Sequence, residues 1–199
     1  MKIHRLPVGV LSTNCYVVVS KGSKAFLIDP GDEVEKIRGF LSKNKIEAKF
    51  IVHTHGHFDH IKADGALGLP VYIHENDAEL LRHPEKNPMI ELFGPVDAVV
   101  PERLLKEGDK IILDELTFSV IHTPGHTSGG ICLLGEGVLF SGDTLFKDGV
   151  GRTDFPGASS EELEASLKKI AQLQGDTRVY PGHGPETTIA RELDITRMF

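Results

Sequence analysis

The strongest constraint on this chain is a unit that occurs twice. "FLIDPGD" is an apolar run, Ala25–Ile28, ending in Asp29; helical spacing follows from Glu33 to Leu41, and a second apolar run, Phe50–Val52, delivers "HTHGH". "VLFSGDT" is an apolar run, Val138–Ser141, ending at Asp143; helical spacing follows from Ser160 to Leu173, and Arg178–Tyr180 leads into "PGHG". Two sheets built from such units and packed face to face bring the ends of their strands to one rim. The expectation is an internally duplicated α/β sandwich.

Further β-rich runs at Cys15–Ser20, Val71–Ile73, Lys110–Leu113, Phe118–Ile121 and Ile131–Leu134 are mostly bounded by Gly, Pro, Asp or Asn and read as strands. Helical spacing also marks Asp77–Arg82 and the tail from Thr187. Ser159 or Ser160 in "ASSEEL" supplies an N-cap before an acidic first turn. Arg82–Glu107 holds four prolines and no regular period, and reads as a loop-rich insertion over one sheet edge. At 199 residues with 40% hydrophobic content, the chain can bury a sizeable core as one domain spanning 1–199.

A net charge of -7, with no run of Lys or Arg longer than the pair Lys168 and Lys169, argues against a nucleic-acid partner. The opening "MKIHRLPVGV" lacks the apolar segment of a signal peptide, and nowhere do about 18 apolar residues follow one another. The expectation is a cytoplasmic protein with no membrane partner. Cys15 and Cys132 lie within apolar runs and read as reduced core thiols.

Chemistry concentrates where strands end. "VHTHGHFDH" packs four histidines and an aspartate into nine residues. His55, His57 and Asp59 follow at steps of two, so an extended segment turns all three the same way, and His60 opens a helix through "IKADGALG". His126 lies in the Pro-Gly turn of "HTPGHTSG", Asp143 at a strand end, and His183 in the Pro-Gly turn of "YPGHGP". Crowded imidazoles behind an apolar strand are costly to desolvate unless something binds them, and metal ions offset that cost. Imidazole and carboxylate without thiolate suit Zn, Fe or Mn rather than a structural zinc finger. Seven such ligands are too many for one tetrahedral ion; shared over two ions with a bridging carboxylate, they leave room for a bridging water. His4, His53, His74, His83 and His122 read as surface, turn or supporting residues.

These motifs, in this order, resemble those of metallo-β-lactamase superfamily hydrolases: "THGHFDH" at His55–His60, "PGHT" at His126, "GDT" at Asp143 and "PGHG" at His183. Within that superfamily the chain is most similar to small glyoxalase II-like hydrolases, as "VGRTDFPG" after "SGDTLF" also suggests. The resemblance implies a four-layer αββα sandwich with a dinuclear site on one rim. It implies two divalent metal ions per chain, zinc first, with iron or manganese compatible. His55, His57 and His126 would hold one, Asp59, His60 and His183 the other, and Asp143 would bridge them. Asp29 matches a position behind the metals where a carboxylate orients ligating histidines. Asp143 in place of a cysteine separates the chain from secreted zinc β-lactamases.

The implied chemistry is hydrolysis of a thioester such as S-lactoylglutathione by a metal-bridging hydroxide, with Asp59 accepting its proton; a thiolate needs no dedicated acid to leave. The implied partner is a small anionic thioester, with Arg152 of "GRTDF" reaching its carboxylate. Sixteen residues follow His183, too few for the helical C-terminal extension that contacts glutathione in full-length glyoxalase II enzymes, so a hydrolase without that domain is expected. The alternatives are an iron-dependent persulfide dioxygenase using His55, His126 and Asp143, a lactonase or phosphodiesterase of the same superfamily, and a non-catalytic metal-binding module.

Overall fold

The computed structural model describes residues 1–87 and 90–197. Strands β1 (Lys2–Val8), β2 (Thr13–Val19), β3 (Lys24–Ile28), β4 (Glu47–Val52), β5 (Val71–His74) and β6 (Arg103–Leu105) form one sheet in that order. The chain then enters a second sheet through β7 (Lys110–Leu113), β8 (Leu116–His122), β9 (Ile131–Gly135) and β10 (Val138–Gly142). A small hairpin, β11 (Leu145–Phe146) and β12 (Gly149–Val150), follows; β13 (Arg178–Pro181) then pairs with β10, and β14 (Thr187–Thr188) closes that edge. The helices are α1 (Val34–Lys43), α2 (Phe58–Ile61), α3 (Asp64–Leu67), α4 (Ala78–Arg82), α5 (Ile90–Phe93), α6 (Ser160–Ile170) and α7 (Ile189–Arg197).

The duplicated unit folds twice in the same way. β3 and β4 run parallel across α1, and β10 and β13 run parallel across α6. Period-two alternation sorts each strand between two layers. In β2, Tyr16 and Val18 enter the core between the sheets, while Cys15, Val17 and Val19 pack with Ile37 of α1 and Ile61 of α2 outside. In β10, Val138 and Phe140 face the inter-sheet core, whereas Leu139 packs with Leu163, Leu167 and Ile170 of α6. Helix, sheet, sheet, helix is the expected four-layer order. Ser159 caps α6, its Oγ accepting from the Glu162 N–H at 3.2 Å; acidic Glu161 and Glu162 and basic Lys168 and Lys169 complement the helix dipole at its two ends.

Three expectations change. The helix after the histidine cluster starts at Phe58 rather than His60 and is interrupted before α3. Arg82–Glu107 is more than a loop: it contributes α5 and the edge strand β6, which pairs in parallel with β5; residues 88 and 89 lie outside the described residues. Thr187 and Thr188 pair with β13 before the tail helix begins at Ile189. Cys15 and Cys132 are buried free thiols, as expected; burial pushes Cys132 up to about 11 and Cys15 higher still. Among the described residues no helix is long and apolar enough to cross a membrane.

Candidate metal centre

The rim where β4, β10 and β13 end collects the predicted residues. Backbone bonds stitch it across both sheets: Ile131 N–H to Thr54 O at 2.8 Å, Asn14 N–H to Gly182 O at 2.7 Å, and Gly182 N–H to Gly142 O at 2.8 Å. His55, His57 and His126 form one group of donor atoms and Asp59, His60 and His183 another, the atoms of each lying within 4.8 Å of one another. Asp143 stands between them. Its Oδ2 lies 3.5 Å from His126 Nε2 and 3.6 Å from His183 Nε2, and its Oδ1 lies 3.6 Å from His60 Nε2.

Four of the five imidazoles are anchored through Nδ1 and present Nε2. His55 Nδ1 meets Thr54 Oγ1 at 3.1 Å, His60 Nδ1 meets Asp29 Oδ2 at 3.0 Å, His126 Nδ1 meets the Arg152 carbonyl at 2.8 Å, and His183 Nδ1 meets the Leu11 carbonyl at 3.1 Å. An acceptor at Nδ1 fixes the tautomer with its proton there and leaves the Nε2 lone pair free to ligate. His57 is the exception: its Nδ1 faces His126 Nε2 at 2.9 Å.

These residues fit a pair of metal ions. His55 Nε2, His60 Nε2 and Asp143 Oδ1 are buried with no hydrogen-bond partner, a condition that burial normally penalises. Donors on a shared tetrahedral ion lie about 3.4 Å apart, close to the separations found. In the all-histidine group the charge state agrees, whereas in the other group the His60 proton would have to leave when an ion binds. Burial, and then the neighbouring imidazoles, lower His57 to about 3 and His55 well below the ordinary value, leaving both rings neutral. Burial disfavours the His60 cation, but Asp59, Asp143 and Asp29 outweigh it and raise His60 to about 10. Burial likewise opposes ionisation of Asp59, yet His60, His183 and the Thr13 hydroxyl hold it below the usual carboxylate range.

Asp29 lies behind the candidate ligands. It accepts from the Thr54 N–H at 2.8 Å and the Thr54 hydroxyl at 2.6 Å besides His60, so one carboxylate orients both His55, through Thr54, and His60. The extended-segment reading holds for His55 and His57 only. His57 (φ −66°, ψ 148°) is the last extended residue before α2, so Asp59 sits on a helical turn and joins the other group, 3.3 Å from His183 Nε2. Arg152 lines the cleft beside the centre, but its guanidinium pairs with Asp154 at 2.6 Å through two N–H groups and lies 4.1 Å over the Phe155 ring; its carbonyl is what orients His126.

Sequence reasoning missed three supports. The Thr13 hydroxyl donates to Asp59 Oδ2 at 2.7 Å. Asp64 pairs with fully buried His53 at 2.7 Å, whose other nitrogen lies 3.4 Å from Asp29; burial opposes the His53 cation, but Asp64 and Asp29 raise it to about 9. Asp77 bonds to both histidine loops. At the start of a helix it signals only an N-cap, a role its side chain does not play. His4 packs tilted against Phe40, His74 stacks on His122, and His83 is an exposed partner of Glu85.

Residues 8–183 match the family model described as metallo-beta-lactamase superfamily. Hydroxyacylglutathione hydrolase GloC of Haemophilus influenzae is 35% identical over 96% of this chain and 95% of its own length. The crystal structure of BLEG-1 B3 metallo-beta-lactamase superposes with a TM-score of 0.92 at 37% identity, covering 97% of each chain. That of TTHA1623 in a di-iron-bound form gives 0.86 at 38% identity, covering 95% of this chain and 96% of the other. The chain therefore belongs to the metallo-β-lactamase superfamily of metallo-hydrolases.

Proposed function

We propose that this chain is a metal-dependent thioester hydrolase acting on small acyl thioesters such as S-lactoylglutathione. The observation that carries the reading is Asp143 between two complete donor groups at the floor of an open cleft. The cleft encloses about 530 Å³ and is walled by Leu11, Phe58, Phe146, Val150 and Phe155, room for a small ligand. His55, His57 and His126 would hold one ion, Asp59, His60 and His183 the other, and Asp143 both. When bound, such ions lower the pKa of water and polarise a carbonyl.

The protein's own groups do the rest. Thr13 and His183 fix the Asp59 carboxylate at Oδ2, and the His60 and His183 charges together with these hydrogen bonds keep it ionised, the state a proton acceptor needs. The apolar walls hold the acyl chain. Beyond the ligands, the titratable group lining the cleft is Arg152, which is no acid near neutral pH. A leaving group that departs as its own anion suits this site, and a thiolate does so. A substrate carboxylate reaching Arg152 competes with Asp154 for the guanidinium. The likeness to a hydroxyacylglutathione hydrolase supports the same substrate class.

Purified protein of measured metal content is assayed for thiol release from S-lactoylglutathione, oxygen uptake with glutathione persulfide, and opening of a chromogenic β-lactam, the last because of the likeness to BLEG-1. Thiol release without oxygen uptake, exceeding β-lactam turnover, is expected. Oxygen uptake at one iron per chain, or faster β-lactam opening, overturns the reading. A single-ion dioxygenase would leave Asp59, His60 and His183 unused, which disfavours it.

A further inference from the structure

Two of the loops that carry ligands meet at a residue that ligates nothing. We propose that Asp77 is a positioning residue that holds His55, His57 and His126 at metal-binding spacing by tying the loop after β4 to the loop after β8. The inference rests on the metal-centre reading and extends it to a residue outside the ligand set.

Asp77 is 1% exposed. Its Oδ2 accepts from the Gly56 N–H at 2.9 Å and the Thr127 hydroxyl at 2.7 Å, and its Oδ1 accepts from the Gly129 N–H at 2.7 Å. Gly56 stands between His55 and His57, and Thr127 follows His126, so one carboxylate reaches the backbone or side chain adjoining every ligand of that group. All three partners donate, and an ionised carboxylate is the side chain that accepts at both oxygens. Burial raises the Asp77 carboxyl above its usual value, while Thr127, Gly56 and Gly129 pull it back.

The loops are shaped for this approach. A Cβ on Gly129 would lie 2.5 Å from Asp77 Oδ1, and one on Gly56 would lie 2.9 Å from Leu80 Cβ, so side chains there would force the segment away. The same segment grips the second loop again, Asn76 Nδ2 donating to the Ser128 carbonyl at 3.2 Å. The Ile131–Thr54 backbone bond joins the two strands at the loop bases; Asp77 fixes the tips. The other group, Asp59, His60 and His183, depends on Thr13, Asp29 and Leu11 instead. Loss of Asp77 therefore acts on one ion and spares the other.

The test is a zinc and cobalt titration of wild type, Asp77→Asn, Asp77→Ala and Thr127→Val, with chelator competition for affinities and melting of the metal-free proteins. A His183→Ala variant supplies the cobalt spectrum of the all-histidine group. In the Asp77 variants that spectrum develops only at about 10–100-fold higher cobalt, the typical effect of removing an outer partner, and the second ion keeps its affinity. Thr127→Val weakens the same ion by less. A merely structural role predicts the opposite pattern, with both ions weakened together and a lower melting temperature without metal, and that pattern overturns the proposal. So do Asp77 variants that bind both ions as wild type does. Should the Asp77 variants not fold, unchanged affinities in Thr127→Val overturn it. Wild type that binds no ion removes the metal-centre reading itself, and this proposal with it.

Discussion

Gly182 is a position at which the centre leaves no room for a side chain. A Cβ there would lie 2.1 Å from Asp143 Oδ1 and 2.9 Å from His60 Cε1, with the Gly142 carbonyl carbon at 3.2 Å. The Gly182 backbone is held on both sides, its N–H by Gly142 and its carbonyl by the Asn14 N–H, so the methyl of Gly182→Ala displaces its neighbours rather than itself. Contacts below 3.0 Å essentially do not occur at a real Cβ. Asp143 must then retreat by about 1 Å, a displacement that lowers rates by about 10²-fold, or about 2.7 kcal/mol. The same crowding costs about 1–3 kcal/mol of stability, read as a melting temperature lower by about 2–4 °C per kcal/mol. The assay combines thiol release, metal content and melting, with Gly149→Ala as control because nothing lies within 4 Å of its added Cβ. Gly182→Ala that keeps both ions and hydrolyses within about threefold of wild type would refute the placement of Asp143.

Two further predictions concern stability. Gly39 lies exposed on α1 with nothing within 4 Å of an added Cβ, so Gly39→Ala raises stability by about 0.5–1 kcal/mol and melting by about 1–4 °C; an unchanged or lower value contradicts this. His74, stacked on His122 at 4.1 Å, is lowered to about 4 by burial and then by His122. The unfolded chain, with its ordinary value near 6.5, takes up that proton first, so the contribution is present above about pH 6.5 and lost as pH falls through about 4. His74→Phe keeps the ring without the titration, and its melting temperature should fall less than that of wild type between about pH 7 and about pH 4.5; equal falls argue against it.

Strands such as Ala25–Ile28 and Lys110–Leu113 were legible because alternation and turn residues are local signals, and so were His126 and His183, each in its own Pro-Gly turn. β1 was not: "KIHRLPV" is mixed in polarity, and only its register against β2 makes it a strand. Asp59 was misdirected because the turn at His57 converts a two-residue spacing into a helical one. Thr13, Asp64 and Asp77 carry no local mark at all, since their roles are made by partners 46, 11 and up to 52 residues away. Arg152 shows the same limit from the other side, for its motif gives the position of a cation but not that Asp154 and Phe155 already occupy it.

Except for Phe58, which lies between His57 and Asp59, the apolar cleft walls and the donor groups come from different parts of the chain's architecture. Leu11, Phe146, Val150, Arg152 and Phe155 sit on turns and the small hairpin, whereas His55, His60 and His126 are buried and anchored behind by Thr54, Asp29 and the Arg152 carbonyl. Exchanging Phe146 or Val150 therefore changes what is held while leaving the segments that carry the donors in place. Arg152 and Leu11 serve both tasks, their carbonyls anchoring His126 and His183 while the residues line the cleft, and Phe58 lies within the histidine segment. Phe146, Val150 and Phe155 are walls outside the donor segments. A laboratory search for new substrates on this scaffold can confine its diversity to those walls and leave the rim sequence untouched.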